Sequence, residues 1–512
     1  MELDRTSPAG KTPDRSSLRA SRGGGVPYGS LENEPPPPAG AATISPRRSY
    51  VVVAVLCYVN LLNYMDRYTI AGILDSIQTY FNIDDGSAGL LQTVFICSFL
   101  VLAPVFGYLG DRYNRKLIIS VGLALWILTS LGSSFITEKY FWVLLLTRAF
   151  VGIGEASYCT IAPTIIGDLF IGAKRTLMIS VFYIFIPVGC GLGYIIGNSI
   201  ATATGDWHWA LRLNPILGLV GLLLIIVFLS NPARGAAEAQ SNPARGAAEA
   251  QPTAEMMHTS YWEDVKYLLQ NRSFVLSSLG VTAMTFVTGA LAFWTPIFLQ
   301  RAREALRGGG RCAEHSCVSS DSYAFGAITV VTGILGVLMG SSASRKLKGR
   351  VPHVDPLICA VGMLSSSPCF FLAIVLAYVS IPAAYVFIAI GETLLSLSWP
   401  ILADILLYVV VPTRRATAEA LQITVCHLFG DAGSPYLLGL LSDWIRRYQP
   451  DSFTWRFRSL EYSFLLCPFV GVLGGLFFLL TSLHVTKDRK AAELLVAGQN
   501  PPPPNLQPGA PS

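Results

Sequence analysis

Twelve apolar stretches dominate the sequence, and each is long enough to cross a lipid bilayer as a helix. An α-helix rises about 1.5 Å per residue, so that about 20 residues span the roughly 30 Å of hydrocarbon in a membrane. The pattern therefore predicts an all-α membrane protein with twelve transmembrane helices. The stretches cover residues 50–74, 88–110, 117–137, 141–168, 177–201, 209–230, 273–300, 323–344, 355–378, 382–408, 416–441 and 460–485.

The amount of charge agrees with this interpretation. The chain has 37 Lys and Arg and 32 Asp and Glu among 512 residues, which is 13%, against about 25% in soluble proteins. Its mean hydropathy is +0.50. A water-soluble enzyme, a disordered chain and a disulfide-rich scaffold are therefore excluded. The ten cysteines lie mostly inside apolar stretches, where Cys behaves as a small hydrophobic residue.

Three polar segments divide the chain. Residues 1–48 and 486–512 each contain a run of prolines among small and polar residues, which predicts disordered cytoplasmic tails. Residues 231–272 form a predicted cytoplasmic linker, in which the decapeptide NPARGAAEAQ occurs twice. This linker separates a predicted N-terminal six-helix bundle, residues 49–230, from a predicted C-terminal six-helix bundle, residues 273–485.

The basic residues set the orientation. With the N-terminus in the cytoplasm, the cytoplasmic segments hold 25 of the 37 Lys and Arg and the outer loops hold nine, so the positive-inside rule places both termini in the cytoplasm. Eight of the nine outer bases fall in the loops 301–322 and 442–459, which weakens the bias without reversing it. The sequon that begins at Asn271 stays cytoplasmic in this topology. Because the bases form no single basic face, no nucleic-acid partner is expected.

The fourth and tenth spans repeat one pattern. The tenth, GETLLSLSWPILAD from Gly391, matches the fourth, GEASYCTIAPTIIGD from Gly154. In each span a Gly-Glu pair precedes a proline at the same spacing, and an aspartate and a basic loop follow. Two related six-helix halves are typical of a transporter whose site lies between the halves near the middle of the membrane.

The loop after the second span carries the most specific local motif. It reads GYLGDRYNRK from Gly107 to Lys116 and resembles the signature loop of the major facilitator superfamily, which implies a fold of two six-helix bundles related by pseudo-symmetry. We expect Asp111 to face the start of the eleventh span, and Arg112 or Arg115 to reach Asp168, so that these four residues form a cytoplasmic gate. The alternative is that the bases only anchor the topology.

Ionisable side chains inside spans are costly and usually functional. The first span carries Asp66 and Arg67, and the fourth carries Arg148 and Glu155 on one helix face. We expect these four side chains to form a cluster. Arg67 and Arg148 are the candidates for binding an anionic substrate, because the planar guanidinium of Arg suits phosphate or carboxylate, and Asp66 and Glu155 are predicted to carry protons. A permanent ion-pair cluster that only ties the helices together is the alternative.

The C-terminal half adds three such residues. Glu392 in the tenth span and His427 in the eleventh are predicted to bind substrate, and Asp431, four residues after His427, is predicted to carry protons. His titrates near physiological pH, but an interhelical hydrogen bond explains a histidine in a span equally well. No catalytic residue, metal site or cofactor is expected.

Several longer runs resemble the Spinster family of major facilitator transporters. They are NYMDRYTIAG, APVFGYLGDRYNRK, VGIGEASYCTIAPT, GDWHWALR and HLFGDAGSPYLLGLLSD, within residues 49–485. The resemblance implies transport of sphingolipids such as sphingosine 1-phosphate, or of lysophospholipids out of lysosomes with protons. Carried over residue by residue, the family's acid and base of the first span fall on Asp66 and Arg67, and its glutamates of the fourth and tenth spans fall on Glu155 and Glu392.

The sequence favours one function and leaves several alternative functions open. We expect a monomeric secondary lipid transporter that works by alternating access in a lysosomal, late endosomal or plasma membrane, with a lipid, the bilayer and protons as its partners. A small organic-anion or sugar porter would use Arg67 equally well, and a sensor would bind lipid without moving it. The sequence carries no motif of an intramembrane enzyme. Cys312 and Cys317 share one predicted outer loop and are candidates for a disulfide.

Overall fold

The structure is a computed structural model, and it describes residues 46–170, 172–229, 261–306, 316–411, 414–450 and 452–496. In these residues all regular secondary structure is helical. The repeated decapeptide and the predicted pairing of Cys312 with Cys317 lie outside the described residues and side chains. The helices are α1 (Pro46–Gly72), α2 (Leu74–Phe81), α3 (Asp85–Arg112), α4 (Arg115–Ser133), α5 (Phe141–Leu169), α6 (Gly172–Thr204), α7 (His208–Phe228), α8 (Tyr261–Gln270), α9 (Arg272–Leu306), α10 (Ser316–Leu347), α11 (Val354–Leu376), α12 (Ile381–Ser396), α13 (Trp399–Val409), α14 (Arg415–Phe429), α15 (Gly433–Arg446), α16 (Phe453–Phe464) and α17 (Leu466–Val496).

Short polar residues set several helix ends. Asp84 accepts a hydrogen bond from the backbone N–H of Ser87 where α3 begins, and Ser380 accepts one from Ala383 where α12 begins. These side chains satisfy backbone donors that have no partner within the helix. Asn82 ends α2 with φ 50°, a left-handed conformation that Asn tolerates and that stops a helix.

The predicted all-α membrane fold is confirmed. Within the described residues, eleven segments are helical, apolar and long enough to cross a membrane. The predicted eleventh span is divided between α14 and α15, which are too short to cross separately. Its helix is interrupted at Gly430, where φ is −89° and ψ is −105°. Many large apolar side chains on the outer faces of the helices are exposed, as is required of a surface that contacts lipid.

Helix extends into two segments that the sequence analysis leaves polar and without structure. α8 lies at the end of the predicted linker, where Arg414 binds Asp264 at 2.7 Å and stacks over Tyr267. α17 continues to Val496, beyond the predicted end of the last span at residue 485. There Arg489 and Glu493 form an i, i+4 ion pair, and such pairs favour helix.

The N-terminal half (α1–α7) and the C-terminal half (α9–α17) touch through glycines at two crossings. At the crossing of α6 with α10, a Cβ atom on Gly326 would lie 2.6 Å from the carbonyl oxygen of Gly191. At the crossing of α3 with α15, a Cβ on Gly89 would lie 2.5 Å from the carbonyl oxygen of Pro435. A side chain does not fit at such distances, so glycine is what lets these helices approach closely. The two crossings correspond under the pseudo-symmetry of the halves.

At the predicted inner end of each half, ion pairs join different parts of that half. In the N-terminal half, Arg115 at the start of α4 pairs with Asp168 at the end of α5. In the C-terminal half, the ammonium group of Lys348 lies 3.0 Å from the carboxylates of both Asp355 and Asp404. Burial alone would lower the pKa of Lys348, but hydrogen bonds to these two carboxylates outweigh it and raise the pKa. Asp168 and Asp404 hold equivalent places in the repeated pattern of the fourth and tenth spans.

Candidate functional site

The four predicted charges of the N-terminal half form two ion pairs. Arg67 of α1 donates to Glu155 of α5 at 3.0 Å, and Arg148 of α5 donates to Asp66 of α1 at 3.3 Å. Asp66 and Arg67 are consecutive on α1, so their side chains point about 100° apart and meet different parts of α5. The two pairs tie α1 to α5 in the middle of the N-terminal half.

Asp66 is a well-satisfied acceptor. Besides Arg148, it accepts hydrogen bonds from Ser130 at 3.0 Å and from Trp126 and Asn214 at 3.3 Å. Its side chain is 1% exposed. Because its partners come from α4, α5 and α7, this carboxylate holds four helices together around one buried charge.

Arg67 has a different environment, made of aromatic rings. Its guanidinium carbon lies 4.7 Å from the ring centre of Phe95, 5.1 Å from that of Tyr64 and 5.8 Å from that of Phe99. Ring faces stabilise a guanidinium without using its N–H donors. One of these donors reaches Glu155, while the buried Nε has no hydrogen-bond partner. Arg67 therefore keeps donor capacity for an anion.

Arg148 lies deeper than Arg67. It is 2% exposed and packs over Phe95 at 5.1 Å, so that both arginines share this ring. Its Nε and one terminal nitrogen lack hydrogen-bond partners. In this conformation Arg148 packs against Phe95 and has almost no exposed surface for a substrate.

Asn63 is a candidate that the sequence analysis missed. It lies one turn before Arg67 on α1, is 1% exposed, and neither its amide nitrogen nor its amide oxygen has a hydrogen-bond partner. Buried amides are normally satisfied, and an unsatisfied one next to an ionisable cluster indicates a polar site. The signal in the sequence was an asparagine inside an apolar span.

The predicted residues of the C-terminal half fall into two separate groups. Glu392 on α12 accepts a hydrogen bond from Thr332 of α10 at 2.8 Å. His427 lies at the end of α14, and its Nδ1 is 2.9 and 3.0 Å from the two carboxylate oxygens of Asp431. His427 and Asp431, four residues apart, are thus in contact, and Glu392 is not part of this pair.

The break in the predicted eleventh span is stabilised by side chains from both halves. At the interruption the backbone N–H of Gly430 still donates to the carbonyl of Cys426. Thr93 of α3 donates to the carbonyl of Ala432 at 2.5 Å, and Thr285 of α9 donates to that of Cys426 at 2.8 Å. The break is therefore a built feature that the N-terminal half contacts directly.

A cavity lies between the two halves beside this break. Its lining combines one carboxylate, two aromatic rings and several neutral polar groups: Tyr68 of α1, Gln92 of α3, Thr285, Thr288 and Gly289 of α9, Trp399 of α13, and Asp431. Of the residues that the sequence analysis selected, Asp431 lines this cavity. Tyr68 is the residue next to Arg67.

The predicted cytoplasmic gate is only partly described. The expected contact of Arg115 with Asp168 is present, but both residues belong to the N-terminal half. This pair therefore braces one half and does not itself join the two. The side chains of Asp111 and Arg112 lie outside the described residues.

Ionic contacts join the halves at the predicted outer end, about which the sequence analysis makes no prediction. The side chain of Arg301 on α9 donates to Asp85 at the start of α3 at 2.6 and 2.8 Å, and to Gln78 at 3.1 Å. The carboxylate of Asp443 on α15 accepts from the backbone N–H groups of Asp85 and Gly86. This network joins the two halves at the predicted outer end. Its signal in the sequence was an excess of bases in loops where the positive-inside rule expects few.

The described residues contain no group of three or more His, Cys, Asp and Glu side chains arranged to hold a metal ion.

Comparison with known proteins defines the class. A family model described as Major Facilitator Superfamily matches residues 56–434. The crystal structure of a bacterial homologue of the human lysosomal transporter Spinster, inward-facing and unoccupied, superposes with a TM-score of 0.71 at 21% identity, covering 87% of this chain and 99% of that one. A D-xylose-proton symporter superposes with a TM-score of 0.59 at 18% identity, over 84% of this chain and 97% of that one. These likenesses define a major facilitator transporter, which is not an enzyme.

Sequence relatives identify the family within that class. Protein spinster homolog 3 of Danio rerio is 66% identical over 96% of this chain and 96% of its own length. Protein spinster homolog 1 of Homo sapiens is 56% identical over 89% and 84%, and protein spinster homolog 3 of Mus musculus is 52% identical over 94% and 91%. The chain belongs to the Spinster family, as the sequence motifs predict.

Proposed function

We propose that this protein moves single-chain phospholipids, sphingolipids such as sphingosine 1-phosphate or lysophospholipids, across a membrane by alternating access coupled to protons. The observation that carries the proposal is the environment of Arg67. Its guanidinium is surrounded by aromatic rings, bound on one side by Glu155, and left with a buried donor that has no partner. The resemblance to the Spinster family supports the same class of substrate.

The surroundings of Arg67 suit an amphipathic anion. A phosphate accepts hydrogen bonds from a guanidinium in a planar arrangement, and Tyr64, Phe95 and Phe99 offer apolar surface next to it. A sugar needs a polar partner for each hydroxyl group that it buries. Aromatic rings around one positive charge therefore favour a lipid phosphate over a sugar.

Glu155 and Asp66 are the proposed proton carriers. An anion bound by Arg67 competes directly with Glu155, since both use the same guanidinium. A proton that binds Glu155 removes its charge and releases Arg67 for the substrate. Loss of that proton restores the ion pair and expels the anion. Asp66 is linked to the same unit through Arg148, which shares the ring of Phe95 with Arg67.

We further propose the orientation and the gates. Both termini lie in the cytoplasm of a monomeric protein in a lysosomal, late endosomal or plasma membrane. The contacts of Arg301 with Asp85 then form the gate facing away from the cytoplasm. At the cytoplasmic gate, Asp111 and Arg112 would meet the start of the eleventh span, and the pair of Arg115 with Asp168 would hold their loop in place. Substrate enters or leaves between the halves as these two gates alternate.

Uptake into proteoliposomes tests this function. Purified protein is reconstituted, and the uptake of radiolabelled sphingosine 1-phosphate and lysophosphatidylcholine is measured with and without an inward proton gradient. We expect saturable lipid uptake that responds to the gradient and resists competition by sugars and small organic anions. Binding of lipid without uptake would identify a sensor, and uptake of labelled sugar inhibited by unlabelled sugar would identify a sugar porter.

A further inference from the structure

Two basic segments meet at the predicted cytoplasmic end of the C-terminal half. Residues 345–350, at the end of α10, contain four bases and no acid. Residues 487–490, in the part of α17 that extends beyond the predicted last span, contain three bases and one acid. The ring of Tyr408 on α13 contacts both segments, since its centre lies 5.7 Å from the ammonium nitrogen of Lys348 and 5.4 Å from the guanidinium carbon of Arg489. Helix packing thus brings together bases from two distant parts of the sequence.

The bases at this junction are of two kinds. Lys348 is held by the carboxylates of Asp355 and Asp404, and Arg489 pairs with Glu493. These paired bases fix the junction. The other bases of the two segments have no ion-pair partner among the described residues, and they leave positive charge on both sides of the ring. They are all exposed: Arg345, Lys346, Arg350, Lys487 and Lys490.

The hydroxyl group of Tyr408 is a further unusual feature of the junction. It is buried, and it has no hydrogen-bond partner in the part of the chain that the structure describes. Buried polar groups are normally satisfied. A hydroxyl left over beside two basic segments indicates a place for an acceptor that the protein itself does not supply, and an anionic oxygen is the acceptor that the surrounding charge favours.

Membrane topology explains why bases lie at this end and not why they converge. The positive-inside rule requires only that bases stay on the cytoplasmic side, where they can be scattered over separate loops. Clusters of about four to eight Lys and Arg just cytoplasmic of a span attract the anionic lipids of the inner leaflet. Here the cluster consists of two groups that flank one ring. A headgroup with more than one phosphate can contact both groups at once.

We propose that residues 345–350 and 487–490 form a binding site for a lipid of the cytoplasmic leaflet whose headgroup carries more than one phosphate, the chemical class of the phosphoinositides. The site is separate from Arg67 and from the cavity between the halves, so its lipid is bound and not transported. The inference goes beyond the proposed transport and rests only on the orientation proposed with it. A bound headgroup ties the end of α10 to α17.

Native mass spectrometry tests the site. Bound lipids are counted on the full-length protein in detergent micelles as two-chain phosphatidylinositol bisphosphate is added. Arg345→Gln with Lys346→Gln removes two charges from the first segment, and Lys487→Gln with Lys490→Gln removes two from the second. We expect each pair of substitutions to raise the Kd about 30-fold, because each base near an anionic headgroup contributes about fivefold.

Two controls locate the binding. Arg47→Gln with Arg48→Gln also removes two charges from exposed bases on the predicted cytoplasmic side, but at the start of α1 in the other half. Arg67→Ala removes the guanidinium proposed to bind the transported lipid. We expect both to bind phosphatidylinositol bisphosphate as the wild type does. An equal loss in the Arg47 and Arg48 pair would indicate diffuse attraction, a loss in Arg67→Ala would place the lipid at the transport site, and either result overturns the inference.

Two further ligands test the nature of the headgroup. Phosphatidylserine should bind at least tenfold more weakly than the bisphosphate, and equal affinity would overturn the requirement for more than one phosphate. Inositol trisphosphate, which has no acyl chains, should also bind more weakly, and equal affinity would assign the site to a soluble polyphosphate instead of a lipid. The proposed function is tested separately, because absence of lipid uptake contradicts that function and leaves this binding site standing.

Discussion

The guanidinium of Arg301 donates two hydrogen bonds to the carboxylate of Asp85 and thereby joins the C-terminal half of the protein to the N-terminal half. Both side chains are largely buried, at 11% and 1% exposed. The described ion pairs of the other end, Arg115 with Asp168 and Lys348 with Asp404, each stay within one half. Among the described residues, ionic contacts thus join the halves at the predicted outer end and brace each half separately at the predicted inner end.

Opening of the outer end should depend on Asp85. Asp85→Asn leaves Arg301 buried without its counter-charge, and loss of one partner from a buried pair costs about 3–5 kcal/mol. We expect the population to shift towards a state open at the outer end. Spin labels at positions 139 and 448, exposed on opposite halves, should report a longer distance in a background that lacks the native cysteines. Arg489→Gln, which breaks an exposed pair within α17, should leave the distance unchanged, and a shift with this control as large as with Asp85→Asn would contradict the assignment.

The glycine crossing of α6 with α10 should limit closure in the same region. A Cβ on Gly191 would overlap the backbone of Gly326 and the side chain of Val330, and overpacking of this kind costs about 1–3 kcal/mol. We expect Gly191→Ala to lower the rate of lipid uptake and to lengthen the same label distance. Gly132→Ala is the control, since a Cβ at Gly132 meets open space. Equal uptake by the two variants would show that the crossing does not limit transport.

Glu155 should set the pH dependence of transport. Glu155→Gln keeps the shape of the side chain and removes both its charge and its capacity to exchange a proton. Because Arg67 then has no competing carboxylate, we expect lipid to bind at all pH values and uptake to become nearly independent of pH. The measurement is initial uptake from pH 5 to pH 8 without a membrane potential. A profile identical to that of the wild type would indicate that protons couple elsewhere or that transport is passive.

The predicted topology can be tested at the sequon that begins at Asn271. Its carboxamide donates to the carbonyl of Val409 at 2.8 Å and accepts from the backbone N–H of Phe274, and the positive-inside rule places it in the cytoplasm. Protein from mammalian cells should therefore show no glycosidase-sensitive mobility shift arising from Asn271. A sequon inserted in the segment 307–315 serves as the positive control. A glycan on Asn271 would contradict the orientation.

The sequence predicts the charged cluster well because a charge buried in a membrane needs a partner of opposite charge, and this holds for each of the four charges of the cluster. Arg148 and Glu155 share one face of α5, so their partners are expected on a neighbouring helix. The other two charges of the cluster, Asp66 and Arg67, lie on α1. The repeated Gly-Glu pattern likewise anticipates the matching places of Asp168 and Asp404. These features follow from local spacing and from the cost of an unpaired charge.

The outer network and the cavity could not be predicted in this way. Arg301 and Asp85 lie more than 200 residues apart and meet only because the halves pack together, which no local pattern encodes. Tyr68, Gln92 and Trp399 look like ordinary residues of a span until the break at Gly430 brings Asp431 beside them. Asn63 was overlooked for a similar reason. A neutral amide in a span does not by itself indicate a site, and its lack of hydrogen-bond partners is visible only in the structure.

Lipid uptake by Arg67→Ala tests the central claim most directly. Sphingosine 1-phosphate uptake is measured in proteoliposomes that contain equal amounts of wild-type protein, Arg67→Ala and Arg212→Ala. Arg212 is the matched control, because it also stacks over two rings, Phe135 and Trp209, but binds Ser134 instead of an acid. We predict that Arg67→Ala inserts normally and loses uptake at least 100-fold while Arg212→Ala retains it, the loss expected when a charge-assisted phosphate contact is removed. Normal uptake by Arg67→Ala would contradict the account.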